Sequence, residues 1–172
     1  MSNPSIGFYP TTQLNPYTTT IGSEGTFQSI MSYIYGASSY ESMQSATVTT
    51  SSTSETYSGI YMTFTPTNSL NTLISYDIYS GNNSATVSLN TYLYIDTVAG
   101  GQSIIIDNGN IPVDSYRTQK LIIIDGILYG GNNSGTSVNL TLNTKYYLSW
   151  YYSSGSAATT TLAVLGFSIQ SI

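Results

Sequence analysis

The chain has 172 residues, no cysteine and no histidine, and only 6% of its residues carry charge. These facts exclude disulfide frameworks, thiol nucleophiles and imidazole bases, and they argue against most zinc, copper and non-haem iron centres. Arg117, Lys120 and Lys145 are the only bases and the net charge is −5, so a phosphate-tracking nucleic-acid surface is excluded as well.

In chain order, residues 1–26 read as an extended arm. Pro4, Pro10 and Pro16 interrupt any regular element, yet Phe8, Tyr9 and Tyr17 recur along it. A solvated tail has no need of these rings. The arm is expected either to pack on a neighbouring subunit or to strap its own domain. The start, Met1–Ser5, has neither a basic nor an apolar stretch, so no secretory signal is read there.

Residues 27–172 read as one β-domain. β-Branched and aromatic residues dominate, and turn clusters recur every 8 to 12 residues, the pattern of a sandwich or barrel. The expected strands are Phe27–Tyr35, Met43–Thr50, Tyr57–Thr65, Leu70–Tyr79, Thr86–Ile95, Ser103–Ile106, Gln119–Tyr129, Thr136–Leu142, Lys145–Tyr152 and Thr160–Ile172. Phe27–Tyr35 also matches a short helix, with Phe27, Ile30, Met31 and Ile34 on one stripe. Asp107-Asn108-Gly109 reads as a tight turn, and the long Gln119–Tyr129 strand as bent at Asp125-Gly126. No run of apolar residues is long enough to span a membrane as a helix. The expected fold is an all-β, jelly-roll-like antiparallel β-sandwich of about 8–10 strands.

Candidate chemistry is sparse. Eight carboxylates are scattered through the chain. Asp77 and Asp96, read as lying on neighbouring strands, are the best candidates for an acid–base pair, but no base of the usual kind accompanies them. Asp107-Asn108-Gly109-Asn110 offers hard oxygen ligands but lacks the spacing and the closing Glu of a calcium loop. No catalytic residue, cofactor or metal is therefore assigned. Asn82 and Asn132 sit in Asn-Asn-Ser triplets at expected loop tips and are candidate glycosylation acceptors. Both faces of the strand Lys145–Tyr152 are aromatic, so Tyr147 and Tyr151 are candidate interface residues alongside Phe8, Tyr9 and Tyr17.

Leu121–Tyr129, Val138–Leu142 and Tyr146–Tyr151 follow one another as an apolar strand with Asp-Gly, a second apolar strand and a Tyr-Tyr strand. This cadence resembles the jelly-roll heads of viral fibre and turret proteins, and also the PA14-type sandwich modules. The Ser/Thr/Asn/Tyr/Ile bias is similar to that of virion proteins of archaeal viruses from hot acid. The resemblance implies a non-enzymatic capsid, turret or fibre subunit on the virion surface. Its expected partners are copies of itself, as a trimer or pentamer, and other virion proteins, with host-surface glycan a further candidate. The alternatives are a carbohydrate-binding or adhesin sandwich module, and a secreted filament subunit joined by strand donation.

Overall fold

The computed structural model describes residues 41–43, 46–67, 69–82 and 87–172. The expected arm, with Phe8, Tyr9 and Tyr17, and the element over Phe27–Tyr35 lie outside the described residues. Ten strands are present: β1 (Glu41–Met43), β2 (Ala46–Thr50), β3 (Thr56–Phe64), β4 (Thr72–Asn82), β5 (Leu89–Asp96), β6 (Ile104–Ile111), β7 (Ser115–Ile124), β8 (Ile127–Tyr129), β9 (Tyr146–Ser154) and β10 (Thr160–Ser171). No helix occurs among the described residues.

The strands form two antiparallel sheets. One runs β1-β10-β4-β7-β8, with β2 also paired to β10, and the other runs β3-β9-β5-β6. Successive strands cross between the sheets at β2 to β3, β3 to β4, β4 to β5, β6 to β7, β8 to β9 and β9 to β10. The resulting orders, β2-β10-β4-β7 facing β3-β9-β5-β6, are those of a jelly roll with β8 appended. The alternation of apolar and polar residues explains the layering. In β5, Leu89, Leu93 and Ile95 point inward and are buried, while Asn90, Tyr92 and Tyr94 alternate outward. Ile74 and Ile78 of β4, Leu121 and Ile123 of β7, and Leu162 and Ile169 of β10 supply the facing layer. Trp150 is the largest side chain in this core. Its ring meets Tyr76 edge-on at 4.8 Å and Phe167 at 5.9 Å, so one indole joins the two sheets.

Four expectations are corrected. Asp107-Asn108-Gly109 is not a turn: it lies within β6, paired with Leu93, Tyr92 and Thr91. The turn comes later, at Pro112–Asp114, where Asp114 has φ 51°. Gln119–Tyr129 is not one bent strand. Ile124 pairs with Ile127 across Asp125-Gly126, whose φ values of 50° and 76° make a two-residue hairpin turn with both central residues left-handed. Thr136–Leu142 forms no strand beyond one bridge, Ser137 to Ile127. Its backbone is satisfied piecemeal, with Val138 N–H donating to the Gly126 carbonyl at 2.7 Å and Thr141 N–H to the Tyr146 hydroxyl at 2.9 Å. It still buries Val138 and Leu140, as its apolar alternation requires, but Leu142 is exposed. Finally, Asp77 and Asp96 are not neighbours: β4 and β5 belong to different sheets, and both side chains lie on outward faces.

Candidate functional site

Five of the described carboxylates, Glu55, Asp77, Asp96, Asp107 and Asp114, accept hydrogen bonds within the fold. Asp107 is buried, 1% exposed, and its Oδ2 accepts from Arg117 Nη2 at 2.8 Å and from the Tyr76 hydroxyl. Its Oδ1 accepts from the Asn132 backbone N–H at 2.8 Å. This is the only salt bridge among the described residues. It links β6 of one sheet to β7 and β4 of the other, closing the edge where the chain crosses between them. Gly109 makes room for it: a methyl group there would overlap Arg117 Nη1. The residues that read as turn or calcium loop are therefore a glycine clearance and a buried ion pair.

Asp96 organises the loop that follows β5. Its carboxylate accepts from the Ser103 hydroxyl and backbone N–H and from the N–H groups of Thr97 and Val98, and these bonds hold the carboxyl below the usual range. The loop folds onto the outer face of the second sheet. Gly100 N–H donates to Ser149 Oγ at 3.0 Å, and the Tyr151 hydroxyl donates to the Gly100 carbonyl. Among the others, Asp77 accepts from Thr118, Asp114 from Tyr79, and Glu55 from Gln102.

That outer face is a tyrosine array. The register aligns Tyr57, Tyr151 and Tyr92 in one row and Tyr61, Ser149 and Tyr94 in the next. Tyr151 packs against Tyr57 and Tyr94, each at 5.3 Å between ring centroids. Tyr151 is thus covered within its own chain. Tyr147 remains half-buried, beside Tyr61 at 5.6 Å and beneath the Lys145 ammonium at 5.1 Å. Asn132 is exposed in the loop after β8, and its Nδ2 donates to the Asn108 carbonyl at 2.7 Å. Asn82 ends β4, its backbone paired with Thr160.

A second outward surface was not apparent from the sequence. On the first sheet, the register brings Leu73, Ile122 and Tyr129 into one row, with Ile124 and Ile127 beside it. All five point away from the core, and Ile124 and Tyr129 are 38% and 51% exposed. Read in sequence, Ile122-Ile123-Ile124 looks like continuous core; only pairing with β4 and β8 shows that its outer members share a patch with Leu73 and Tyr129.

The tyrosines give the fold an alkaline limit. Burial raises the hydroxyls of Tyr57, Tyr151 and Tyr152 above their usual 10.0, pushes Tyr94 up to about 12, and, with the Asp107 charge, raises Tyr76 further still. The unfolded chain releases these protons near pH 10 while the folded chain keeps them. Their stabilisation is therefore complete below about pH 10 and is lost as the pH rises through the folded values. The melting temperature is expected to hold between about pH 7 and about pH 9 and to fall steeply above about pH 10. Tyrosinate absorbance from these raised hydroxyls should appear together with unfolding. Their ionisation in the folded protein at the ordinary tyrosine value would contradict this.

No protein-family model matches the chain, and no curated protein sequence matches it.

Proposed function

We propose that this chain is a non-enzymatic structural subunit that assembles with copies of itself on a virion surface, outside the cell. The observation that carries the reading is the outward apolar patch Leu73–Ile122–Ile124–Ile127–Tyr129. Outward apolar surface marks contact sites, and this one lies on a sheet face bordered by the exposed Lys120 and Asp125. The fold class alone assigns no role, since jelly rolls serve many. The carboxylates support the non-enzymatic part: Asp107, Asp96, Asp77, Asp114 and Glu55 are each engaged in bonds within the fold. Sheet edges point the same way. The outer side of β8 is bonded to the following segment, with Leu128 N–H donating to Thr136 O at 2.9 Å and Gly135 N–H to Leu128 O at 2.7 Å. Strand addition at that edge is blocked, so association there must run face to face.

The test is the particle mass in solution. The wild-type chain, 18.5 kDa, is expected to form closed oligomers with a mass several times that. Ile124→Asp with Tyr129→Asp should give single chains with an unchanged melting temperature. A monomeric wild type, or a variant whose oligomers persist, would refute the assignment.

A further inference from the structure

On the other sheet, at the outward β5–β6 edge, lies a hollow of about 290 Å³ lined by Asn90, Tyr92, Asn108, Gly109, Asn110 and Asn132. Four carboxamides and one phenol meet there without a charged side chain among them. We propose that this hollow binds one ring of a neutral saccharide.

The amides are held by their own bonds. Asn90 Nδ2 donates to Ser153 Oγ at 3.3 Å, and Asn110 Nδ2 donates to Asn90 Oδ1 and Ser88 Oγ, each at 2.8 Å. Asn132 Nδ2 is committed to the Asn108 carbonyl at 2.7 Å. Both N–H groups of the Asn110 amide are thus used, one of the two on Asn132 is used, and the Oδ1 atoms of both residues are left as acceptors. The Asn108 carboxamide makes no hydrogen bond to any described residue, so both its donor and its acceptor face the solvent side of β6. Tyr92 adds a half-buried ring and a hydroxyl.

This set of groups selects its ligand by chemistry. Sugar hydroxyls both donate and accept, matching free carbonyl oxygens beside one free amide. The apolar C–H face of a pyranose suits an aromatic ring whose polar tip stays wet. Anions are poorly served: the nearest guanidinium, Arg117, lies inward beneath Gly109 and is bound to Asp107. A divalent cation would need carboxylates, and Asp107 points to the opposite side of β6 and is fully engaged. The volume sits at the small end of ligand clefts, about 300–1,000 Å³, which suits a terminal sugar rather than a buried chain. Amides already held in place have less freedom to lose on binding. The site is independent of the apolar patch, because the two lie on opposite sheets.

The experiment is titration of the full chain, by calorimetry and saturation-transfer NMR, with methyl α-mannoside, methyl α-glucoside, methyl β-galactoside and N-acetylglucosamine. Inorganic phosphate and sialyllactose serve as anionic comparisons. Saturable binding of a neutral glycoside is expected. Asn108→Ala and Asn110→Ala should each weaken it about tenfold, the scale of one lost hydrogen bond. Tyr116→Ala on the opposite sheet should leave it unchanged. The Asn108 side chain bonds to no described residue, so Asn108→Ala tests the site without removing a bond among them. No saturable neutral glycoside, affinity unchanged in Asn108→Ala, or preferential binding of the anionic probes would each overturn the proposal.

Discussion

Arg117→Met is expected to lower the unfolding free energy by about 3–5 kcal/mol, a large share of what a domain of this size possesses. The cost arises less from the lost attraction than from what remains. Asp107 is 1% exposed, and without the guanidinium its carboxylate keeps only the Tyr76 hydroxyl and the Asn132 N–H. A buried, unpaired charge is among the most expensive features a fold can carry. Removing both ends should therefore be far milder: Asp107→Leu with Arg117→Met exchanges the pair for apolar volume and should recover most of the loss. Gly109→Ala should approach the single-variant loss by another route, because its methyl group takes the space of Arg117 Nη1. Urea denaturation measures all three. A loss under about 1 kcal/mol for Arg117→Met would mean that the pair is solvated in solution and does not join the sheets.

Trp150→Ala is the second large effect, at about 3–5 kcal/mol. The indole is 1% exposed and packs on Tyr76 from one strand of the facing sheet and Phe167 from another. Truncation leaves a cavity between the sheets that neither ring can fill without leaving its rotamer. It also loosens Tyr76, whose hydroxyl reaches Asp107, so the two sites are coupled through one ring. Trp150→Phe should cost only about 1–2 kcal/mol. Trp150 Nε1 has no hydrogen-bond partner, so the smaller ring forfeits packing and no bond. Equal losses for Ala and Phe would show that the indole N–H, and not its area, is what matters. Double variants of Trp150 and Arg117 should depart from additivity, since Tyr76 is shared between them.

Much of the architecture was legible in the residues. Period-two alternation identified β3, β4, β5, β9 and β10 to within a few residues, because each has one face in a single core. The failures share a cause. Asp107-Asn108-Gly109 carries the composition of a turn, and turn statistics describe residues whose backbone is free to reverse. Here the carboxylate is drawn inward by Arg117, ten positions later, and the glycine exists for that side chain. Thr136–Leu142 has the alternation of a strand and buries Val138 and Leu140 as alternation demands, but no neighbouring strand offers it a ladder. Alternation reports burial, and only a partner makes a strand.

The candidate surfaces divide in the same way. The aromatic character of both faces of β9 was evident from Tyr146–Tyr152, and it pointed to an interface at Tyr147 and Tyr151. That Tyr151 is covered by the loop after β5, through the Gly100 carbonyl, depended on a contact across 51 positions. The apolar patch and the amide hollow are assembled from segments far apart in the chain, Leu73 with Tyr129 and Asn90 with Asn132, so neither forms a motif. By itself, the sequence determined an all-β sandwich with a charge-poor, hydroxyl- and amide-covered surface, because composition and alternation act locally. The tertiary structure alone decided the strand order, the buried Asp107–Arg117 pair and the two outward surfaces, because register between distant strands sets which side chains meet.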